Sequence, residues 1–507
     1  MAVVSSIRYP VQLGRRMLPT DALFWYVEEA MPELRPLVAG LLMLDRRPDP
    51  ERLRASVERW VARLPRMRQR VVEAPLRLGL PEWEEDPNFE LEYHARQVIL
   101  PEPASDRHLL DFCAAVFATP LDHLRPLWEA YLIEGLEDGR AACFFKAHHS
   151  VMDGVGSLAL FDALTQGHRH EPVRVPRHAP TPLAAAGGGR FARLLGDAVG
   201  NVAGGLASAG VASARALLRP GEALEQTGRA VRGLRGLLAD LTTPPALDPL
   251  ARASTGIGRH LDALALPLPR LRRIKDALEV SLNDVVLTAF SGAVGRYHQH
   301  RGLRVAELHC MVPMNLRPDH ARDALGNRVG AFTVTLPVGE PDPMRRLARI
   351  RQQSTAAKSD RRAATYPLVT RTLSLLPGTA YRLLAQTVTG RINLICTNMP
   401  GPPTQRFLAG ARVDVIYPFA PVAMGTPVSM ALLSYGDTYG IGITSDPAAI
   451  PDPERLSHYL TAAVDELDAR TAPRPVRRAA PRAKRATRRL RAVAARRHPP
   501  RRRRPAG

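Results

Sequence analysis

Cysteine is scarce in this chain: four thiols in 507 residues, at Cys113, Cys143, Cys310 and Cys396, with no close pair. That spacing excludes a disulfide framework and offers no zinc-ligand pattern. It predicts buried, reduced thiols in a cytosolic protein. No run of about 20 residues is apolar enough to read as a clear membrane span. The opening residues MAVVSSIRYPVQLGRRMLPTDALFWY lack a charged segment followed by an apolar one, so no secretion signal is expected. Acidic residues are missing altogether from Thr471 to Gly507.

What is present is ordinary for a folded protein. Hydrophobic residues make up 45% and charged residues 23%, which excludes wholesale disorder and leaves ample material for cores. The net charge is +21. A uniform excess of that size points to nucleic acid or an anionic membrane. The excess is not uniform. Fifteen Arg and Lys residues lie in the acid-free stretch Thr471–Gly507, leaving +6 for the first 470 residues.

The tail is too poor in apolar residues to fold alone. It reads as a solvated extension, as an anionic-lipid binder, or as a nucleic-acid binder. The last is disfavoured because the tail has no aromatic residue on which a base could stack.

Composition divides the chain into residues 1–170, 171–255, 256–470 and 471–507. The first and third parts mix strand-like and helix-like runs, as expected for mixed sheets with flanking helices. The second part is rich in Ala, Gly, Arg and Pro. Gly196, Gly200 and Gly204 recur there at the spacing of close-packed membrane helices. Asp197, Asn201 and Arg215 oppose a true span, which leaves a plain linker or an interfacial helix.

Local patterns predict several elements. Arg52–Leu64 has helical apolar spacing at Leu53, Val57, Trp60, Val61 and Leu64. Leu127–Leu136 and Ala141–Phe145 read as strands joined by the turn Glu137–Arg140. Ser281 and Asp284 fit a capping box opening a helix with Val286, Ala289, Phe290, Ala293 and Tyr297 inward. Arg304–Val312 and Ala331–Leu336 read as strands. Glu454–Leu467 reads as a closing amphipathic helix, with Leu456, Leu460, Ala463, Val464 and Leu467 inward.

The strongest local signal is AACFFKAHHSVMDG, Ala141 to Gly154. An apolar strand runs into two histidines, then a turn, then a helix with Leu158, Phe161 and Leu164 at helical spacing. Strand alternation sends His148 and His149 to opposite sides, one into a cleft and one into the fold. Asp153 and Gly154 suit the tight turn into the helix. A neutral histidine, with an unperturbed pKa of about 6.5, can take a proton from an alcohol, amine or thiol attacking a carbonyl. The bland alternative is a pair of core histidines. A metal pair is also conceivable, but no third ligand lies at a useful spacing. His168, His170, His298 and His300 read as surface residues.

HHSVMDG matches the HHxxxDG motif of the chloramphenicol acetyltransferase-like superfamily. Five further segments appear in order along the chain, the first near its start and the other four after the histidines: Pro19-Thr20-Asp21-Ala22, Asn283-Asp284-Val285-Val286-Leu287, Val312-Pro313-Met314-Asn315-Leu316-Arg317, Gly326-Asn327-Arg328-Val329 and Thr397-Asn398-Met399-Pro400-Gly401-Pro402. Together they resemble the bacterial wax ester synthase/diacylglycerol acyltransferase family over roughly residues 15–470.

The resemblance implies an α/β fold of two chloramphenicol-acetyltransferase-like domains, residues 1–170 and 256–470, with the active site in a channel between them. It implies acyl-CoA-dependent O-acylation of diacylglycerol or a long-chain alcohol. Another hydroxyl or amine acceptor, such as a glycolipid, remains open, as does a silent lipid- or nucleic-acid-binding protein that kept the fold. His149 would be the general base and His148 its support. Asp153 would be structural, with Arg317 as its candidate partner and Gly154 completing the turn. Asn283, at a helix start where free N–H groups gather, is the oxyanion candidate or else a packing residue. Acyl-CoA is implied as co-substrate, with no metal or bound cofactor. The expected location is cytoplasmic and peripheral, on an anionic membrane or lipid-droplet surface.

Overall fold

The computed structural model describes residues 14–31, 33–73, 80–152, 154–173, 246–254, 257–315, 329–359, 391–423 and 425–471. The glycine-spaced segment around Gly200 and the Arg-rich tail beyond Thr471 lie outside these residues.

The first half runs α1 (Pro19–Ala30), β1 (Leu37–Leu44), α2 (Pro50–Arg63), β2 (Gln69–Val72), β3 (Glu82–Glu85), α3 (Leu91–His94), β4 (Ala95–Ile99), α4 (Asp106–Ala118), β5 (Trp128–Glu134), β6 (Ala141–His148) and α5 (Gly154–Leu164). Local chemistry explains the helix starts. Asp49 accepts the Arg52 N–H at 2.9 Å and Pro50 takes the first turn of α2, where its missing N–H costs nothing. The predicted hairpin forms as the antiparallel pair β5 and β6. The predicted α2 also forms, with Trp60, Val61 and Leu64 buried. All four cysteines are buried.

The second half runs β7 (His260–Pro267), α6 (Leu268–Ala277), α7 (Leu282–His300), β8 (Leu308–Asn315), β9 (Val329–Leu336), α8 (Pro343–Ser359), β10 (Leu394–Pro400), β11 (Phe407–Leu408), β12 (Ala411–Phe419), β13 (Val428–Tyr435), β14 (Thr438–Ser445) and α9 (Glu454–Ala469). The capping box forms: Ser281 Oγ accepts the Asp284 N–H at 3.2 Å, and Asp284 accepts the Ser281 N–H at 3.0 Å. The five inward residues expected on α9 are all buried, as are the five expected on α7. The predicted strand at Arg304 begins later, at Leu308. His298 corrects the surface reading. It lies within α7, is 3% exposed, and its Nε2 sits 3.1 Å from Asp248. The helical period places it inward with Val294 and Tyr297.

Two six-stranded sheets result, ordered β11-β12-β1-β6-β5-β4 and β7-β14-β13-β10-β8-β9. β1 reads LVAGLLML and lies between β12 and β6; Leu41 and Met43 pack into one core and Leu42 and Leu44 into another, so its apolar run suits a strand covered on both faces. The first sheet is completed by β11 and β12, which come from the second half of the chain. β12 also lies against β14, where glycines permit the approach. A Cβ on Gly440 would fall 2.0 Å from the Ile416 carbonyl oxygen, and one on Gly442 2.0 Å from that of Pro418. The two sheets therefore meet at β12.

The first core is aromatic. Trp25, Trp60, Trp83 and Trp128 are all buried there, with Trp60 edge-on to Trp128 at 4.9 Å. Full burial of such a side chain stabilises by roughly 1.5–3 kcal/mol or more. Charged side chains tie the halves together. Arg107 of α4 reaches Asp262 of β7 at 3.0 Å and the Leu261 carbonyl at 2.8 Å. Arg259 donates to the carbonyls of Glu33, Leu34 and Val422.

Candidate active site

β6 delivers the two histidines. Its register with β1 sets Leu37 opposite His148, so the strand ends beside the chain entering β1. There the His149 N–H donates to the Pro36 carbonyl at 2.7 Å, and the His148 N–H donates to Leu127 at 3.0 Å. Both backbone positions are held before any side chain is considered.

The side chains then diverge, as strand alternation requires. Phe144, Lys146 and His148 share one face of β6 and are each 0% exposed. Lys146 Nζ donates to the Val116 and Thr119 carbonyls at 2.9 and 3.0 Å and lies 3.1 Å from Glu129. His149 stands on the turn beyond the strand and is half-buried. Its ring stacks on Phe24 of α1, with centroids 4.0 Å apart and planes 13° apart.

His148 has a defined protonation pattern. Its Nδ1 accepts the Ser150 N–H at 3.1 Å and meets Ser150 Oγ at 2.6 Å. The proton of the neutral ring therefore belongs on Nε2. Nε2 lies 3.2 Å from Glu28 Oε2, off the line of a straight hydrogen bond. The same carboxylate oxygen lies 2.9 Å from His123 Nε2.

Burial would push the Glu28 carboxyl up. The His123 hydrogen bond and the close approach of the His148 ring outweigh it and hold Glu28 well below the ordinary carboxylate range. The Glu28 hydrogen bond in turn raises the His123 pKa. A cavity of about 590 Å³ borders this cluster, lined by Trp25, Glu28, Arg35, Leu121 and His123 among others. Among the described residues, its lining comes from the first half.

Asn283 is the second residue of α7. Its Oδ1 accepts from Asn398 Nδ2 at 3.3 Å, and Asn398 Oδ1 accepts from the Tyr439 hydroxyl at 2.6 Å. Gly154 opens α5. Asp153 and Arg317 lie outside the described residues. The structure thus joins His148 and His149 to α1, and joins Asn283 to β10 and β14. Sequence reasoning missed Glu28, Phe24 and His123. The available signal was the four-residue spacing of Phe24 and Glu28, which puts them on one face of a helix. Asn398 lay in a quoted motif but had no assigned role.

Family models decide the wider question. The wax ester synthase/diacylglycerol acyltransferase catalytic domain matches residues 17–286, and the C-terminal domain of the same family matches residues 325–468. The chain belongs to the wax ester synthase/diacylglycerol acyltransferase family. A Mycobacterium tuberculosis protein designated a diacylglycerol O-acyltransferase is 31% identical over 461 residues, covering 90% of this chain and 92% of that one. A second such protein from M. tuberculosis is 32% identical over 473 residues, covering 89% and 99%.

The wax ester synthase/diacylglycerol acyltransferase of Marinobacter aquaeolei VT8 superposes with a TM-score of 0.60 at 23% identity, over 90% of this chain and 99% of that one. The starter condensation domain of rhizomide synthetase, in complex with C8-CoA, gives 0.56 at 14% identity over 90% and 94%. These likenesses bear out the two-domain chloramphenicol-acetyltransferase-like fold. The protein is an acyltransferase of this family. The silent-binder alternative gains no support.

Proposed function

We propose that this acyltransferase moves a long-chain acyl group from acyl-CoA to the hydroxyl of diacylglycerol or of a long-chain alcohol. His149 acts as general base. The observation that carries this reading is the contrast within the histidine pair. His148 is fully buried, while His149 is only half-buried, with its ring seated on Phe24.

The chemistry then balances without a covalent enzyme intermediate. His149 takes the hydroxyl proton as the oxygen attacks the thioester carbon. The tetrahedral oxyanion collapses and expels CoA as thiolate. The His149 imidazolium returns its proton to that sulfur. A positioned base contributes about 10²–10⁴-fold. Asn283 and the first turn of α7 supply the oxyanion donors, in keeping with the free N–H groups and positive dipole end found there. Asp153, Gly154 and Arg317 support the turn after the histidines. The substrates meet in the channel between the two halves.

The protein works at the cytoplasmic face of an anionic membrane or at a lipid-droplet surface. Support comes from the apolar acceptor and from the 15 basic residues of Thr471–Gly507. Each such residue near an anionic surface contributes about 1 kcal/mol.

The test is purified protein with labelled palmitoyl-CoA and either diacylglycerol or hexadecanol. Ester is expected from the wild type and none from His149→Ala. No ester with either acceptor overturns the function, and full activity in His149→Ala overturns the mechanism. Removing Thr471–Gly507 is expected to leave turnover on soluble substrate intact and to weaken salt-sensitive binding to anionic vesicles. Unchanged binding overturns the membrane role of the tail.

A further inference from the structure

We propose that Glu28 is a positioning residue for acyl transfer and that it acts on His149 through His148. The inference rests on the reading of His149 as the base.

Three observations carry it. Glu28 is a carboxylate only 7% exposed, on a helix whose neighbouring Trp25 and Tyr26 are buried apolar residues. A buried carboxylate is costly unless paired, and packing alone would be met by an apolar side chain. Its charge is spent on two imidazole edges, His123 at 2.9 Å and His148 at 3.2 Å.

Second, Ser150 occupies Nδ1 of His148, so the N–H edge of that ring faces Glu28. The carboxylate favours this tautomer and opposes a ring flip, which would set a lone pair against a negative charge. Its approach is off-axis, so the effect is electrostatic bias more than a single strong hydrogen bond.

Third, the bias has a short path to the base. The His148 and His149 N–H groups are fixed by Leu127 and Pro36, and the two rings hang from adjacent residues. Turning the His148 ring breaks the bond that its Nδ1 accepts from the Ser150 N–H at 3.1 Å, and that N–H belongs to the peptide following His149. Phe24, one turn before Glu28 on the same helix, seats the His149 ring. One turn of α1 therefore grips both histidines.

The test is a double-mutant cycle on the full chain with acyl-CoA and acceptor varied separately. Glu28→Gln keeps the side-chain length and removes the charge. Its kcat is expected to fall about 10- to 100-fold, since a misaimed group can cost ~10²-fold. KM for both substrates is expected to stay put, because no ground-state contact is lost. His148→Gln is expected to lose as much, and the double variant no more than the worse single variant, because both act on one element.

Thermal melting checks that each variant is folded. If Glu28→Gln does not fold, Glu28→Asp replaces it in the cycle, with its carboxylate withdrawn by one methylene and the same criteria. A wild-type kcat, or losses that multiply in the double variant, overturns the role of Glu28. His149→Ala run alongside separates the two levels. If it is dead while the Glu28 variant is normal, only this inference falls. If it is active, the assignment of the base falls.

Discussion

Phe24 and Glu28 lie one helical turn apart on α1, and each meets a different one of two adjacent histidines: Phe24 stacks on His149, and Glu28 faces His148. The pair ties a short N-terminal helix to the end of a strand more than a hundred residues away. If His149 is the base, the two contacts divide two tasks, one seating its ring and the other orienting its neighbour.

Phe24→Ala is expected to lower kcat about tenfold or more by freeing the His149 ring from its planar seat. Phe24→Tyr retains the ring and should stay near wild type. The accompanying stability loss is expected at about 1–3 kcal/mol, below the usual cost for a fully buried Phe because Phe24 is half-buried. Steady-state kinetics and denaturant melts of both variants decide it. Equal kcat in the two would show that the stacking contact does not position the base.

The histidine pair was legible because strand alternation is local. So were α9 and the α7 capping box, whose signals lie within a few residues of one another. The rest of the site depends on contacts that no window contains. Glu28 meets His123 across 95 residues, and the Arg412 N–H donates to Asp45 across 367. That second contact belongs to the junction by which β12 enters the first sheet, a pairing that composition assigned to the other half of the chain. His298 was misread for a related reason. Its polar neighbours suggested a surface, while its helical phase and Asp248, 50 residues away, bury it.

The Glu28–His123 pair predicts an alkaline loss of stability. His123 has a raised pKa in the folded protein, with the Glu28 hydrogen bond as the largest cause. Its contribution is complete below the unfolded value of about 6.5 and is lost as pH rises through the folded value. Glu28 has the opposite sign. Its depressed pKa contributes above the unfolded value of about 4.3 and is lost as pH falls. Melting temperature should therefore decline as pH rises above about 6.5 and through the folded His123 value, and His123→Gln should flatten that limb. An identical alkaline limb in the variant would refute the pairing.

Arg259 ties the loop before β1 to the second half. Burial pushes its guanidinium down to about 10, which leaves it charged at neutral pH, donating to the carbonyls of Glu33, Leu34 and Val422. Arg259→Met keeps the stem and removes every donor. The Val422 carbonyl is buried and the other two are half-buried, and a buried carbonyl left unsatisfied costs about 1–3 kcal/mol, so a loss in that range is expected in urea melts. Activity should fall further than stability alone explains, because Pro36, two residues on from Leu34, receives the His149 N–H. A variant that keeps wild-type kcat after a large stability loss would disconnect this loop from the site.

Tyr439 controls which way Asn283 can donate. Burial raises the Tyr439 pKa, so its hydroxyl stays protonated and donates to Asn398 Oδ1. That fixes the Asn398 amide with its NH₂ toward Asn283 Oδ1. Asn283 is thereby held as an acceptor on that side, and its own NH₂ is turned the other way. Tyr439→Phe removes the one hydroxyl that sets this order, at about 1 kcal/mol of stability. If Asn283 serves the oxyanion, Asn283→Ala should lose roughly 10²–10³ in kcat. Tyr439→Phe should lose a smaller part of the same term, with KM unchanged. A Tyr439→Phe enzyme with full kcat beside a crippled Asn283→Ala would break the link between the two. Full kcat in both would remove Asn283 from the oxyanion role and leave it as packing at the start of α7.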